Sequence, residues 1–204
     1  MRKKSHISLA CYLVSQTNFQ ELINHKKTFY VGSILPDCKP SFLTTKHEFG
    51  ETFSMVQDRI VSLTADVDGL TNKSGRFMRE MGEIIHYMAD YFTFPHNTNY
   101  DGNLKDHCYY EKDLKFGLRS YIKSGQALQE KREFLPIQSA DELFSYIRTS
   151  HQEYLSRKRN VEQDCQYIVH VCCQVLHTIV FLIQRALALA TSHNNLISKA
   201  YVTA

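Results

Sequence analysis

The chain has 204 residues, with 24 Lys and Arg against 21 Asp and Glu, a net charge of +3. That length suits one substantial domain better than two, and the near-neutral balance excludes a large basic field for nucleic acid. With 43% hydrophobic and 22% charged residues the chain is not a disordered one, and its eight glycines and four prolines are few for a sandwich or barrel. Ten histidines beside no tryptophan are the unusual feature.

The apolar spacing predicts an all-α, multi-helix bundle in a single domain over residues 1–204. After Met1-Arg2-Lys3-Lys4, the residues Ile7, Leu9, Ala10, Leu13, Val14, Phe19 and Leu22 predict one helix over about residues 5–26, capped by Ser5. The charged start and short apolar core have the outline of a signal peptide without its small-residue cleavage site. The expectation is therefore a cytoplasmic chain, with secretion as the minority reading. Six cysteines without a CxxC or a pairing pattern agree with a reducing compartment.

Gly32 to Pro40 reads as a loop, since Pro36 and Pro40 forbid a continuous helix. Helices are predicted over about residues 51–63 and 74–91, the second stopping before Pro95. The loop from Asn97 to Asp106 leads to another helix over about residues 107–123. Ser139-Ala140-Asp141-Glu142 is a capping box for a helix to about Arg157, and Asn160 opens the last helix, to about Ala190. That helix is apolar on nearly every side, but Gln166, His170, Gln174, His177, Gln184 and Arg185 interrupt it too often for a transmembrane segment. It reads as the buried central helix of the bundle.

His86 and Asp90 stand four apart on one helix and share a face, where nitrogen and oxygen on a rigid backbone suit zinc. Alone, such a pair is more often a hydrogen-bonded surface pair. His107 and Glu111 repeat the spacing on the next helix, with His96 in the turn between, as in the carboxylate–histidine sites of helical bundles. Upstream, His6, Asp37 and His47 are further donors. Taken singly they read as a helix-start polar residue, a turn residue and a solvated loop histidine.

Taken in order, His6, Asp37, His47, His86-x3-Asp90-x5-His96 and His107-x3-Glu111 resemble the ligand series of the bacterial zinc-dependent phospholipase C family. The phrase HYMADYFTFPH is similar to the family's H-Y-x-x-D-x-x-x-P-x-H, with Pro95 one place later than the family's proline. The resemblance runs from Ser5 to Glu111. It implies an all-helical domain with a metal cluster in a cleft, holding two and up to three zinc ions. By position, Asp37, His47, His86 and Asp90 would hold one ion, His96, His107 and Glu111 a second, and His6 with a bridging Asp90 the third. The implied activity is hydrolysis of a phosphodiester, with a phospholipid favoured over nucleic acid and transient contact at a membrane surface. Zinc lowers the pKa of bound water toward about 7 and steadies the phosphoryl oxygens, so that water can attack phosphorus. Asp37, in a loop with room beside the metal, is the candidate general base or water-orienting group.

In secreted members of the family the mature chain begins with a tryptophan whose amine and carbonyl complete the third site. This chain has no tryptophan, which leaves His6 and Asp90 as a thin complement for a four-coordinate ion and Cys38 as a candidate replacement. The rival readings are a phosphodiesterase or phosphatase like the related single-strand nucleases, and a non-catalytic zinc-binding protein. Elsewhere, His170 and His177 read as hydrogen-bonded core histidines, and His25, His151 and His193 as solvated ones. Phe42, Phe49, Tyr91, Phe92 and Phe94 lie near the donors in sequence and either line an apolar cleft or belong to the core.

Overall fold

A computed structural model describes residues 1–39, 46–131, 133–157 and 160–202, with side chains as far as residue 192. Phe42 and the His193 side chain lie outside the described residues. Among those described, the regular structure is entirely helical.

The first predicted helix is two, α1 (Lys3–Ser15) and α2 (Gln20–Asn24), and a further helix that periodicity did not show, α3 (Lys26–Gly32), follows it. The break has a local cause. Thr17 Oγ1 accepts from the Phe19 amide at 3.1 Å, a side-chain turn that competes with the helical ladder. Ser5 is not a cap but a buried residue inside α1. α4 (Phe49–Ala65) follows as predicted, then a short α5 (Val67–Asn72) that periodicity did not show, capped by Asp66 Oδ1 on the Gly69 amide at 2.7 Å.

α6 (Ser74–Tyr91) has the predicted bounds and is buried without a break from Met81 to Tyr91. α7 (Leu104–Lys123) starts earlier than predicted, because Asn103 and Asp106 form a reciprocal capping box ahead of His107. After α8 (Gln126–Gln129), α9 (Ala140–Ser156) opens with Ser139 Oγ accepting from the Glu142 amide at 3.2 Å. Glu142 itself accepts from the Gln138 amide rather than from Ser139, so the expected box is half formed.

α10 (Val161–Val202) is longer than predicted. Its stretch Val161–Ser192 has the length and composition to cross a membrane, yet 67% of its most apolar window is buried inside the protein. The two histidines expected in its core are not there: His170 is half-buried, and His177 is exposed with its ring stacked on Phe134 at 4.0 Å. α10 packs against α4, α6 and α7, and α1 lies along α7. The buried apolar residues of these helices form one connected core around α6.

Candidate metal centre

The site is built outward from α6. Gly82 lies against α3 so closely that a β-carbon there would overlap the Phe29 carbonyl, and one on Gly32 would overlap the Arg79 carbonyl. This backbone-to-backbone crossing brings the end of α3 onto α6, where the Ser33 carbonyl accepts from His86 Nδ1 at 2.9 Å. The bond fixes the ring and leaves Nε2 to face the centre, as metal-binding histidines require. His86 Nε2 then lies 3.0 Å from His47 Nδ1, 3.2 Å from Asp90 Oδ2 and 3.6 Å from Asp37 Oδ1. His47 Nδ1 is 3.0 Å from the same Asp90 oxygen. The donor atoms of Asp37, His47, His86 and Asp90 all lie within 4.8 Å of one another.

Asp37 sits in a 3-10 turn, Pro36–Cys38. Lys39, just beyond it, reaches the buried Glu83 carboxylate on α6 at 2.7 Å, and Arg59 reaches the same oxygen at 3.0 Å. Glu83 thus ties the Asp37 turn to the helix that carries His86 and Asp90.

His96, His107 and Glu111 form a second group with donor atoms within 4.8 Å. His107 and Glu111 are one turn apart on α7 at 3.3 Å, and His96 Nε2 is 3.4 Å from Glu111 Oε1. Pro95 is the middle residue of the turn Phe94–His96 that carries the third donor. Both flanks of that turn are held by the last two long helices. The Phe94 amide donates to Asp164 Oδ2 of α10 at 2.9 Å, and Asp164 also accepts from the Tyr110 and Tyr154 hydroxyls at 2.9 and 2.8 Å. On the other side, His151 of α9 bonds Asn97 Oδ1 at 2.9 Å, while Asn97 Nδ2 donates to the Thr93 carbonyl at 3.0 Å.

His6 belongs to neither group, but its Nε2 lies 3.3 Å from Asp90 Oδ1 and its ring stacks on His86. Beside it is a donor that residue patterns could not show. The Met1 amine is 2.7 Å from Asp90 Oδ1, 2.7 Å from His96 Nε2 and 3.0 Å from Glu111 Oε1. In the structure this group is held as an ammonium by the Asp90 and Glu111 carboxylates. Cys38 is exposed and its sulfur joins neither donor group.

A sequence model of the family described as zinc dependent phospholipase C matches residues 5–161. The chain belongs to that family. No curated protein and no solved structure gives a significant match.

Zinc fits the donors of this phospholipase C family chain. Both His6 nitrogens are buried with no hydrogen-bond partner, an arrangement that costs free energy unless something else binds them. Neutral imidazoles and carboxylates are also the donor types that zinc takes. Burial and the neighbouring His86 push the His6 pKa down to about 3, so the ring is neutral. Burial would raise the Asp90 carboxyl, but the Met1 ammonium and the imidazoles of His96, His86 and His6 outweigh it and hold Asp90 well below the usual carboxylate range. Glu111 is lowered too, because hydrogen bonds from His107 and His96 and the Met1 ammonium overcome its burial. Burial raises Asp37.

Several aromatic residues near the donors belong to the core. Tyr91 and Phe92 are fully buried, and Phe49 stacks on His151 at 4.1 Å. His151, expected in solvent, is buried for the same reason, and burial lowers its pKa to about 4. Phe94 packs beside Tyr100 and Tyr110. A cavity of about 400 Å³ between α1, α7 and α10 contains none of the donors.

Proposed function

We propose that this chain hydrolyses a phosphodiester bond of a phospholipid, releasing the phosphorylated head group and leaving diacylglycerol. One observation carries the reading: two donor groups meet at a single buried carboxylate, Asp90, whose Oδ2 lies 3.0 Å from His47 and 3.8 Å from His96. A structural zinc site needs four ligands and keeps no spare acids, whereas this arrangement holds more donors than one ion takes.

In this reading Asp37, His47, His86 and Asp90 hold one zinc ion and His96, His107 and Glu111 hold another. His6 and Asp90, with the Met1 amine once it has given up its proton, would be the donors of a third. Bound zinc supplies a hydroxide-like nucleophile near neutral pH and positive charge for the phosphoryl oxygens. The chain's own part is to place these charges. Asp90 is buried between the two groups and fixes their separation. Asp37, partly exposed at the edge of its group, would orient the attacking water and accept its proton on the carboxylate oxygen that does not face the metal. Asp164 and Asn97 keep His96 from swinging away.

The test is zinc analysis of purified protein with turnover of a chromogenic phosphodiester, followed by short-chain phosphatidylcholine micelles against single-stranded DNA. Bound zinc and release of a phosphorylated head group support the reading. Zinc without turnover of any phosphodiester or phosphomonoester would make the centre structural, and preference for DNA would make the chain a nuclease.

A further inference from the structure

The outward face of α7 does not look like the solvent face of an ordinary surface helix. Lys105, Tyr109, Lys112, Phe116 and Arg119 recur at helical spacing, so cationic and aromatic side chains alternate along a single stripe. Tyr109 and Phe116 are 56% and 54% exposed, and Leu104, the first residue of α7, is 79% exposed. The core needs none of them, because Leu114, Leu118 and Tyr121 fill that role on the opposite side of α7. Lysine ammonium groups lie over the exposed rings, Lys105 at 5.9 Å from the Tyr109 centroid and Lys115 at 4.0 Å from that of Phe116. Two acids border the stripe, Asp106 and Asp113, against the four cations Lys105, Lys112, Lys115 and Arg119, and the Asp106 carboxylate is engaged by the Asn103 amide in the capping box.

We infer that this stripe is the surface by which the protein docks on an anionic lipid bilayer. The inference rests on the proposed phospholipase activity and gives it a docking face. Cations over exposed apolar side chains match a surface of negative head groups above hydrocarbon. An aliphatic residue as exposed as Leu104 has a partner in acyl chains and none in the stacked bases of a single strand. A second copy of the chain docking symmetrically would set one cationic row against another. His107 and Glu111 are turned by up to about 160° from the stripe, towards the core side of α7, so the stripe and the metal donors occupy different faces of this helix.

Sedimentation with vesicles tests this, using the zinc-loaded protein, phosphatidylcholine alone, and phosphatidylcholine mixed with phosphatidylserine. The protein should bind the mixed vesicles more strongly, and the double change Lys112→Glu with Arg119→Glu should weaken that binding at least about tenfold. Phe116→Ser should weaken binding to both vesicle types. These variants should keep the helical circular dichroism, the melting temperature and the turnover of a soluble chromogenic phosphodiester. Failure of the unaltered protein to bind mixed vesicles overturns the inference, as does equal binding by the variants. A dimer disrupted by the same variants, or single-stranded DNA bound in place of vesicles, overturns it as well. Vesicle binding through the stripe without any phosphodiesterase turnover would leave this surface standing and remove the proposed activity instead.

Discussion

His6 lies flat on His86, with ring centroids 3.9 Å apart and planes 14° from parallel, and neither His6 nitrogen has a hydrogen-bond partner. A buried polar nitrogen without a hydrogen-bond partner costs free energy, and a metal ion at His6 Nε2 would relieve part of that cost. Chelation should therefore lower the melting temperature, and zinc should restore it. At a free zinc concentration about a hundredfold above Kd the gain is about 2.7 kcal/mol. His6→Ala should bind less zinc than the unaltered chain, measured by elemental analysis after gel filtration. A melting temperature indifferent to chelator and zinc would count against every donor assignment made here.

Asp90 touches both donor groups, whereas His170 lines the separate cavity beside α10. Asp90→Asn keeps the shape and loses the charge that the surrounding nitrogens and the Met1 ammonium compensate. It should lower the proposed phosphodiesterase activity at least about a hundredfold, beyond what loss of a supporting residue costs, while His170→Ala should stay within a few-fold of the unaltered chain. Comparable losses in kcat/KM for the two variants would refute the bridging role.

The centre was legible in the chain to the extent that its chemistry is local. His86 with Asp90, and His107 with Glu111, are helical neighbours, so spacing alone places each pair on one face. The long-range part was legible only through the family's ligand order, because nothing in residues 37 or 47 says that they reach α6. What was missed had no local signal. The Met1 amine carries no residue type, and Asp164 looks like an ordinary first-turn acid of α10 until Phe94, Tyr110 and Tyr154 converge on it. His151 reads as solvated because its sequence neighbours are polar, but Phe49, a hundred residues away, covers its ring. The α1–α2 stretch was misread because its apolar spacing continues through Thr17, where a hydroxyl-to-amide bond interrupts the backbone ladder.

Gly82→Ala tests the crossing that positions His86. A methyl group at that site meets the Phe29 carbonyl and the Ser33 amide, both backbone atoms, so relief requires α3 to move away from α6. The substitution should destabilise the fold by about 1–3 kcal/mol, the usual range for overpacking. It should also weaken zinc uptake, since the Ser33 carbonyl moves with α3. Denaturant unfolding with and without zinc separates the two effects. Unchanged stability would mean that the helices are not in backbone contact.

Asp164→Ala and Asp164→Asn should differ sharply. Burial raises the Asp164 carboxyl to about 6 despite its three hydrogen bonds, so exchanging it for a neutral group of the same shape removes little. Asparagine keeps an acceptor for the Phe94 amide, whereas alanine strands that amide and two tyrosine hydroxyls. With about 1–3 kcal/mol for each buried group left unsatisfied, the alanine variant should lose several kcal/mol. Cobalt substitution gives the more specific readout: the absorption spectrum of the bound ion should change in Asp164→Ala, where His96 loosens, and return in Asp164→Asn. Identical spectra in all three proteins would assign Asp164 to stability alone.

His151 predicts an acid-sensitive step that is separable from the metal donors. Burial holds its folded pKa at about 4, against about 6.5 for an unfolded histidine. Above pH 6.5 the ring is neutral in both states and adds no pH dependence. Between those values the unfolded chain takes up a proton that the folded chain refuses, so stability falls as the pH drops toward 4 and the loss levels off below it. The full effect is about 3 kcal/mol. His151→Gln retains an uncharged donor for Asn97 and does not titrate, so its stability difference from the unaltered chain should shift in its favour by that amount between pH 7 and pH 4. Denaturant midpoints across this range check it, because the titration of the shared donors cancels in the difference. A constant difference would mean that His151 is charged or solvated in the folded protein, and that the Phe49 stack does not keep water from the turn bearing His96.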